Sequence, residues 1–117
     1  MENIGIIGEN LATCYLVNKG YQILERNFKV RFGEIDIITQ KGKLISFVEV
    51  KCRKSSKYGL PEESVTFKKR KKIIRVAQYY IVKHNLNDHF FSFDVISILL
   101  AQKQLLKMYH IKNAFNQ

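Results

Sequence analysis

The sequence predicts an α/β fold with the element order α-β-β-β-α-β, closed by a short fifth strand-like segment. Three observations carry this reading. Apolar residues recur at helical spacing in two stretches, 2–19 and 66–85. Between them lie three segments rich in β-branched and aromatic residues, parted by turn signals. A fourth such segment runs from Phe91 to Leu100. The 117 residues, 46% of them hydrophobic, suffice for one core and one domain, 1–117. Aromatic richness (8 Phe, 6 Tyr) excludes intrinsic disorder, and 6 Gly with 1 Pro excludes collagen-like or low-complexity chains.

The first helix places Ile4, Ile7, Leu11 and Tyr15 on one arc and stops at Gly20. Gly5 and Gly8 beside that arc suit close packing on a sheet, at a helix cost of about 1 kcal/mol each. The Gly5-to-Gly8 stretch lacks the Gly-Lys-Ser/Thr ending of a phosphate-cradling loop, and no strand precedes it. Tyr21 to Phe28 is the first strand, with Tyr21, Ile23 and Leu24 as its inward candidates. Glu34 to Gln40 is the second, Lys41-Gly42 a tight turn, and Lys43 to Cys52 the third, together a β-meander. Residues 54–64 read as a loop. Thr66 caps a second helix reaching about Asn85, with Phe67, Ile73, Ile74, Ala77, Tyr80 and Ile81 as its apolar face. Phe91 to Leu100 follows, then Leu105 to Ile111 as a short last strand.

Charge supplies the first functional signal. The chain has 20 Lys and Arg against 10 Asp and Glu, a net charge of +10. Lys51 to Lys83 alone holds eleven basic residues opposed only by Glu62 and Glu63. Such clustering favours a polyanionic partner. Lys68, Lys72 and Arg75 share one helix face, and Arg53, Lys54, Lys57 and Lys69 extend the basic surface. The competing reading is a solvated helix surface. Two cysteines make no disulfide framework, and no signal peptide or bilayer-spanning run is evident, so a reducing, cytoplasmic setting without membrane contact is expected.

Two carboxylates stand where packing alone would place Val or Thr. Asp36 is flanked by Ile35, Ile37 and Ile38, and Glu49 lies in the apolar run Ile45 to Val50. Alternation puts Glu49 and Lys51 on the face of Ile45 and Phe47. Pairing through the Lys41-Gly42 hairpin would bring Asp36 and Glu49 together. Adjacent carboxylates repel unless a cation lies between them, and hard oxygen ligands suit Mg²⁺ or Mn²⁺. Lys51 would then stabilise developing negative charge or orient a water. Singly, Asp36 also reads as a turn cap and Glu49-Lys51 as an exposed strand pair.

Together, Gly33-Glu34-Ile35-Asp36 and Phe47-Val48-Glu49-Val50-Lys51-x-Arg53 resemble the PD-(D/E)xK nuclease superfamily. More narrowly, the chain is similar to the YraN-type family of predicted endonucleases, relatives of archaeal Holliday-junction resolvases. The resemblance spans nearly the whole chain: Gly8-Glu9-x-x-Ala12, Gly20-Tyr21-x-Ile23-Leu24-x-Arg26-Asn27, Val65-x-x-x-Lys69, Ala77 and Phe93-Asp94-Val95. It implies a restriction-endonuclease-like αβββαβ core with a mixed central sheet flanked by helices. It also implies Asp36, Glu49 and the Val50 carbonyl as metal ligands, Lys51 as catalytic lysine and Glu9 as an outer carboxylate. The chain departs from the pattern at Ser92, where the family usually carries Arg, and it lacks the proline of the superfamily's name.

The expected function is a Mg²⁺- or Mn²⁺-dependent DNA endonuclease of resolvase-like type, with branched DNA among its candidate substrates. One site cuts one strand, so a symmetric homodimer would be needed to resolve a four-way junction. The alternatives are a non-catalytic nucleic-acid-binding module and a small RNA-associated structural protein. Acidic residues within apolar strands argue against the last.

Overall fold

Two-residue loops at Arg31-Phe32 and Gly42-Lys43 fold the middle of the chain into the expected meander. The computed structural model describes residues 3–54, 65–102 and 104–116. Its elements are α1 (Ile4–Asn18), β1 (Gln22–Val30), β2 (Gly33–Lys41), β3 (Leu44–Lys54), α2 (Phe67–Lys83), β4 (Phe90–Ala101) and β5 (Gln104–Phe115). All five strands form one mixed sheet in the order β1-β2-β3-β4-β5. The β3–β4 pair is parallel, as a crossover through α2 requires, and every other pair is antiparallel.

Each face of the sheet carries one helix and one core. Ala12 and Leu16 of α1 pack with Tyr21, Ile37, Val48, Ile96 and Ile98. Ile73, Val76, Ala77, Tyr80 and Ile81 of α2 pack on the opposite face with Ile35, Ile38, Phe47 and Phe93. The central strands are buried on both faces, so β3 and β4 read as near-continuous apolar runs.

Two glycines set how closely the helices approach. A Cβ on Gly8 would lie 2.6 Å from that of Cys52, so α1 can rest on β3 only without a side chain there. A Cβ on Gly33 would meet Val76 at 2.9 Å, so the bare start of β2 lets α2 close over it. Gly5 has no sheet contact of this kind; its nearest neighbour is the capping side chain of Asn3.

Four expectations need correction. Phe67 is not part of the α2 apolar face: it falls off the buried stripe and is 74% exposed, while Val76 takes a place in the core. The hairpin turn falls at Gly42-Lys43 rather than Lys41-Gly42, because Lys41 still pairs with Leu44 at the end of β2; Ile23 and Leu24 both turn inward as expected, to opposite cores by ordinary alternation. The last strand is not short. It runs twelve residues and pairs with β4 from Ala101–Gln104 to Phe93–Phe115. Stacking of Phe115 on Phe93, with ring centroids 5.1 Å apart, anchors its far end. Lys54 continues β3 rather than opening a loop; residues 55–64 of that predicted loop, Lys57 among them, lie outside the described residues.

Candidate metal and nucleic-acid site

The candidate site forms where β2 and β3 part. Their pairing runs from Lys41–Leu44 to Ile37–Val48 and ends there. Asp36 and Glu49 are the next residues on each strand. Beyond the last pair, the Val50 N–H donates to the Asp36 carboxylate at 2.8 Å. Glu49 lies within hydrogen-bonding reach of Asp36. The two carboxylates therefore meet, as expected, although through a turn at Gly42-Lys43, one residue later than the sequence suggests.

The cations come from two elements. Alternation along β3 holds Glu49 and Lys51 on the α2 side, where the Lys51 ammonium is 3.9 Å from the Glu49 carboxylate. Lys69 enters from α2 and pairs with Glu49 at 2.5 Å. Thr66 caps the helix by accepting the Lys69 N–H at 3.2 Å, which fixes that residue in the first turn. Glu49 is buried, with 7% of its side chain exposed, whereas the Lys69 side chain is 44% exposed.

This crowding perturbs the ionisable groups. Burial first, then the neighbouring Glu49 charge, raises the Asp36 pKa to about 7, against the lowering effect of the Val50 N–H. Burial and the adjacent Lys69 ammonium hold Lys51 below the ordinary lysine range. Burial pushes Lys69 down, but its bonds to Glu49 and Lys51 outweigh that and leave it raised.

Glu9 stands on the other side of Asp36. Both line a cavity of about 260 Å³ with Asn27, Glu34 and Val50. The Glu9 carboxylate is held by Arg26 at 2.7 Å and by the Asn27 amide at 3.0 Å. Asn27 adopts a φ of +54° between the pairs Arg26–Ile37 and Phe28–Ile35, a conformation asparagine tolerates well. Among the described residues no group of three His, Cys, Asp or Glu side chains is set to hold a metal. The structure thus joins Asp36 with Glu49 and keeps Glu9 nearby in an ion pair of its own.

The donor set nevertheless fits a hard divalent cation. Mg²⁺ commonly takes one or two protein carboxylates and completes its shell with water and substrate oxygens. Asp36 and Glu49 supply such a pair, and an ammonium already rests against it.

A second cavity, of about 410 Å³, abuts the first through Glu34 and is walled by Lys68, Lys69 and Lys72. The first turn of α2 carries no acidic residue, so these lysines oppose the helix dipole. Positive charge combined with exposed helix N–H groups is the arrangement that receives phosphate. Arg75 is placed differently: its guanidinium lies over the Phe32 ring at 4.4 Å. Arg53 is half-buried and Lys54 exposed at the end of β3.

Two features escaped the sequence reading. Lys69 was expected on phosphate alone, yet it reaches Glu49; its place in the Val65-x-x-x-Lys69 block was the available signal. Asp94 anchors a buried network on the α1 face. It accepts from Ser92, from His110 at 2.7 Å and from the Asn113 N–H at 3.1 Å, and Tyr15 bonds His110 at 2.9 Å. Ser92 is therefore committed inside the fold. No helix among the described residues is long and apolar enough to cross a membrane.

The comparisons with known proteins agree along the chain. The model of a family described as "Uncharacterised protein family UPF0102" matches residues 8–98. A UPF0102 protein of Clostridioides difficile (strain 630) is 53% identical over 111 residues, covering 95% of each chain. One from Caldicellulosiruptor bescii is 49% identical over 98% of each chain. One from Persephonella marina is 49% identical over 93% of this chain and 90% of its own. A family match across most of the sequence, with relatives near half identical from end to end, means that this chain belongs to the UPF0102 family.

Proposed function

We propose that this protein is a metal-dependent DNA endonuclease with a restriction-endonuclease-like core and a resolvase-like site. The observation that carries the reading is the meeting of Asp36 and Glu49 at the β2–β3 divergence, with Lys51 beside them. Asp36, Glu49 and the Val50 carbonyl would hold Mg²⁺ or Mn²⁺. The bound ion would supply water activation and positive charge at the scissile phosphate. Lys51 contributes an ammonium where negative charge develops, in a half-buried setting that strengthens its field. Glu9, fixed by Arg26 and Asn27, lines the adjoining cavity and orients groups entering it. Lys68 and Lys72 hold the phosphate backbone beside the carboxylates, with Arg53 and Lys54 extending the path along β3.

The test is incubation with labelled linear, flapped and four-way DNA in Mg²⁺, Mn²⁺ or EDTA. Metal-dependent product bands are expected. Binding without cleavage on every substrate would favour a non-catalytic nucleic-acid-binding protein, which the basic surface of α2 would serve equally well.

A further inference from the structure

We propose that Lys69 is a counter-ion switch, held by Glu49 in the metal-free protein and released into the phosphate-binding cavity when a divalent cation takes its place. The inference rests on the metal site proposed above.

The geometry gives Lys69 two destinations. Its ammonium pairs with Glu49, and the same residue walls the cavity shared by Lys68 and Lys72. The backbone need not move between them, because the Thr66 cap fixes the first turn of α2. The path is open as well: Glu49 is buried, while nearly half of the Lys69 side chain faces solvent.

Charge supplies the driving force. In the metal-free cluster two carboxyl groups, Asp36 and Glu49, face two ammoniums, Lys51 and Lys69. A divalent cation between the carboxylates would leave two ammoniums facing an excess of positive charge. Lys51 is the more confined of the two, with 23% of its side chain exposed against 44% for Lys69. Lys69 is therefore the group that leaves, and a DNA phosphate in the neighbouring cavity receives it. Metal binding and DNA binding then favour each other through one side chain.

The experiment measures Mn²⁺ uptake by calorimetry without DNA, for wild type, Lys69→Gln and Lys69→Arg. Removing the competing cation should tighten Mn²⁺ binding by at least about fivefold, the scale of one like charge roughly 4 Å away at full water screening, and by more where the site is drier. Lys69→Arg should bind as wild type does. The salt dependence of DNA binding gives a second readout. Lys69→Gln should lower its slope by about 0.9 in Ca²⁺, used so that binding is read apart from cleavage, and leave it unchanged in EDTA. Mn²⁺ binding by Lys69→Gln that is equal to or weaker than wild type would overturn the switch and make Lys69 a fixed ion pair. Absence of Mn²⁺ uptake by wild type would overturn the metal site itself, a distinct result. Circular dichroism melts confirm that each variant is folded before either comparison.

Discussion

Asp36 and Val50 are joined across the gap between β2 and β3, with the Val50 N–H donating to the Asp36 carboxylate at 2.8 Å. That bond turns Asp36 toward Glu49 and brings two carboxylates into one partly desolvated space. The arrangement costs stability in the metal-free protein, and this makes it testable without substrate.

Asp36→Asn should stabilise the metal-free protein at neutral and alkaline pH. A carboxyl whose folded pKa is raised contributes stability below its unfolded pKa and loses it as pH climbs through the folded value. For Asp36 that window runs from about 4 to about 7. The rise corresponds to an upper bound of about 4 kcal/mol, and water screening should leave on the order of 2 at pH 8. Thermal melts in EDTA should show the variant gaining on wild type from pH 4 to 7 and levelling above. Mn²⁺ should raise the melting point of wild type much more than that of the variant. A clear loss of stability at pH 8, without a metal response in either protein, would make Asp36 structural.

Gly8→Ala should destabilise the fold although alanine favours helices. The new Cβ would stand 2.6 Å from that of Cys52, and overpacking of this kind typically costs about 1–3 kcal/mol. That exceeds the helix-propensity gain of about 1 kcal/mol. Gly5→Ala, facing only the Asn3 cap, should stay within about 1 kcal/mol of wild type. Equal denaturant midpoints for the two variants would refute the close α1–β3 approach.

Exchanging Lys68 and Lys72 for Gln should weaken DNA binding across all sequences. The slope of log affinity against log salt should fall by about 0.9 per lost phosphate contact on duplex DNA. Adding Arg75→Gln should lower the slope less, because that guanidinium is partly engaged with Phe32. An unchanged slope in the double variant would reduce this face of α2 to ordinary solvated surface.

Asp94 is predicted to be structural. Burial pushes its carboxyl up, but the bonds from His110, Ser92 and the Asn113 N–H outweigh that and hold it below the usual range. A depressed carboxylate contributes stability that is present above its unfolded pKa and lost as pH falls through the folded one. Wild type should therefore exceed Asp94→Asn in stability at pH 7, with the gap closing below about pH 4. Asp94→Ala, which strips a partner from each of three donors, should lose about 3 kcal/mol or more by urea denaturation. DNA affinity of the folded variant should match wild type.

The sequence carried the site's two carboxylates because each broke a local rule. A charge between isoleucines has no packing reason, and period-2 alternation assigned Glu49 and Lys51 to one face of β3 before any fold was known. The meander and the Thr66 cap were legible for the same reason, being set by residues near in sequence. What stayed hidden depends on tertiary approach. Nothing local in a run of five basic residues tells that Lys69, rather than Lys68, reaches Glu49. The grip of Arg26 and Asn27 on Glu9 spans two elements and turns on a positive φ inside β1. The last strand looked short because Lys107, His110, Lys112 and Asn113 blur its alternation, while its length is set by pairing with β4 and by the distant Phe93–Phe115 stack.

The most direct test of the account compares cleavage with binding for Lys51→Ala on DNA that wild type cuts. At protein concentrations giving equal DNA occupancy, the account predicts near wild-type affinity and a loss of Mg²⁺- or Mn²⁺-dependent cleavage of about a hundredfold or more, the scale of removing one group that stabilises developing charge. Cleavage by Lys51→Ala at the wild-type rate, or a wild type that cuts no DNA in any metal, would contradict it.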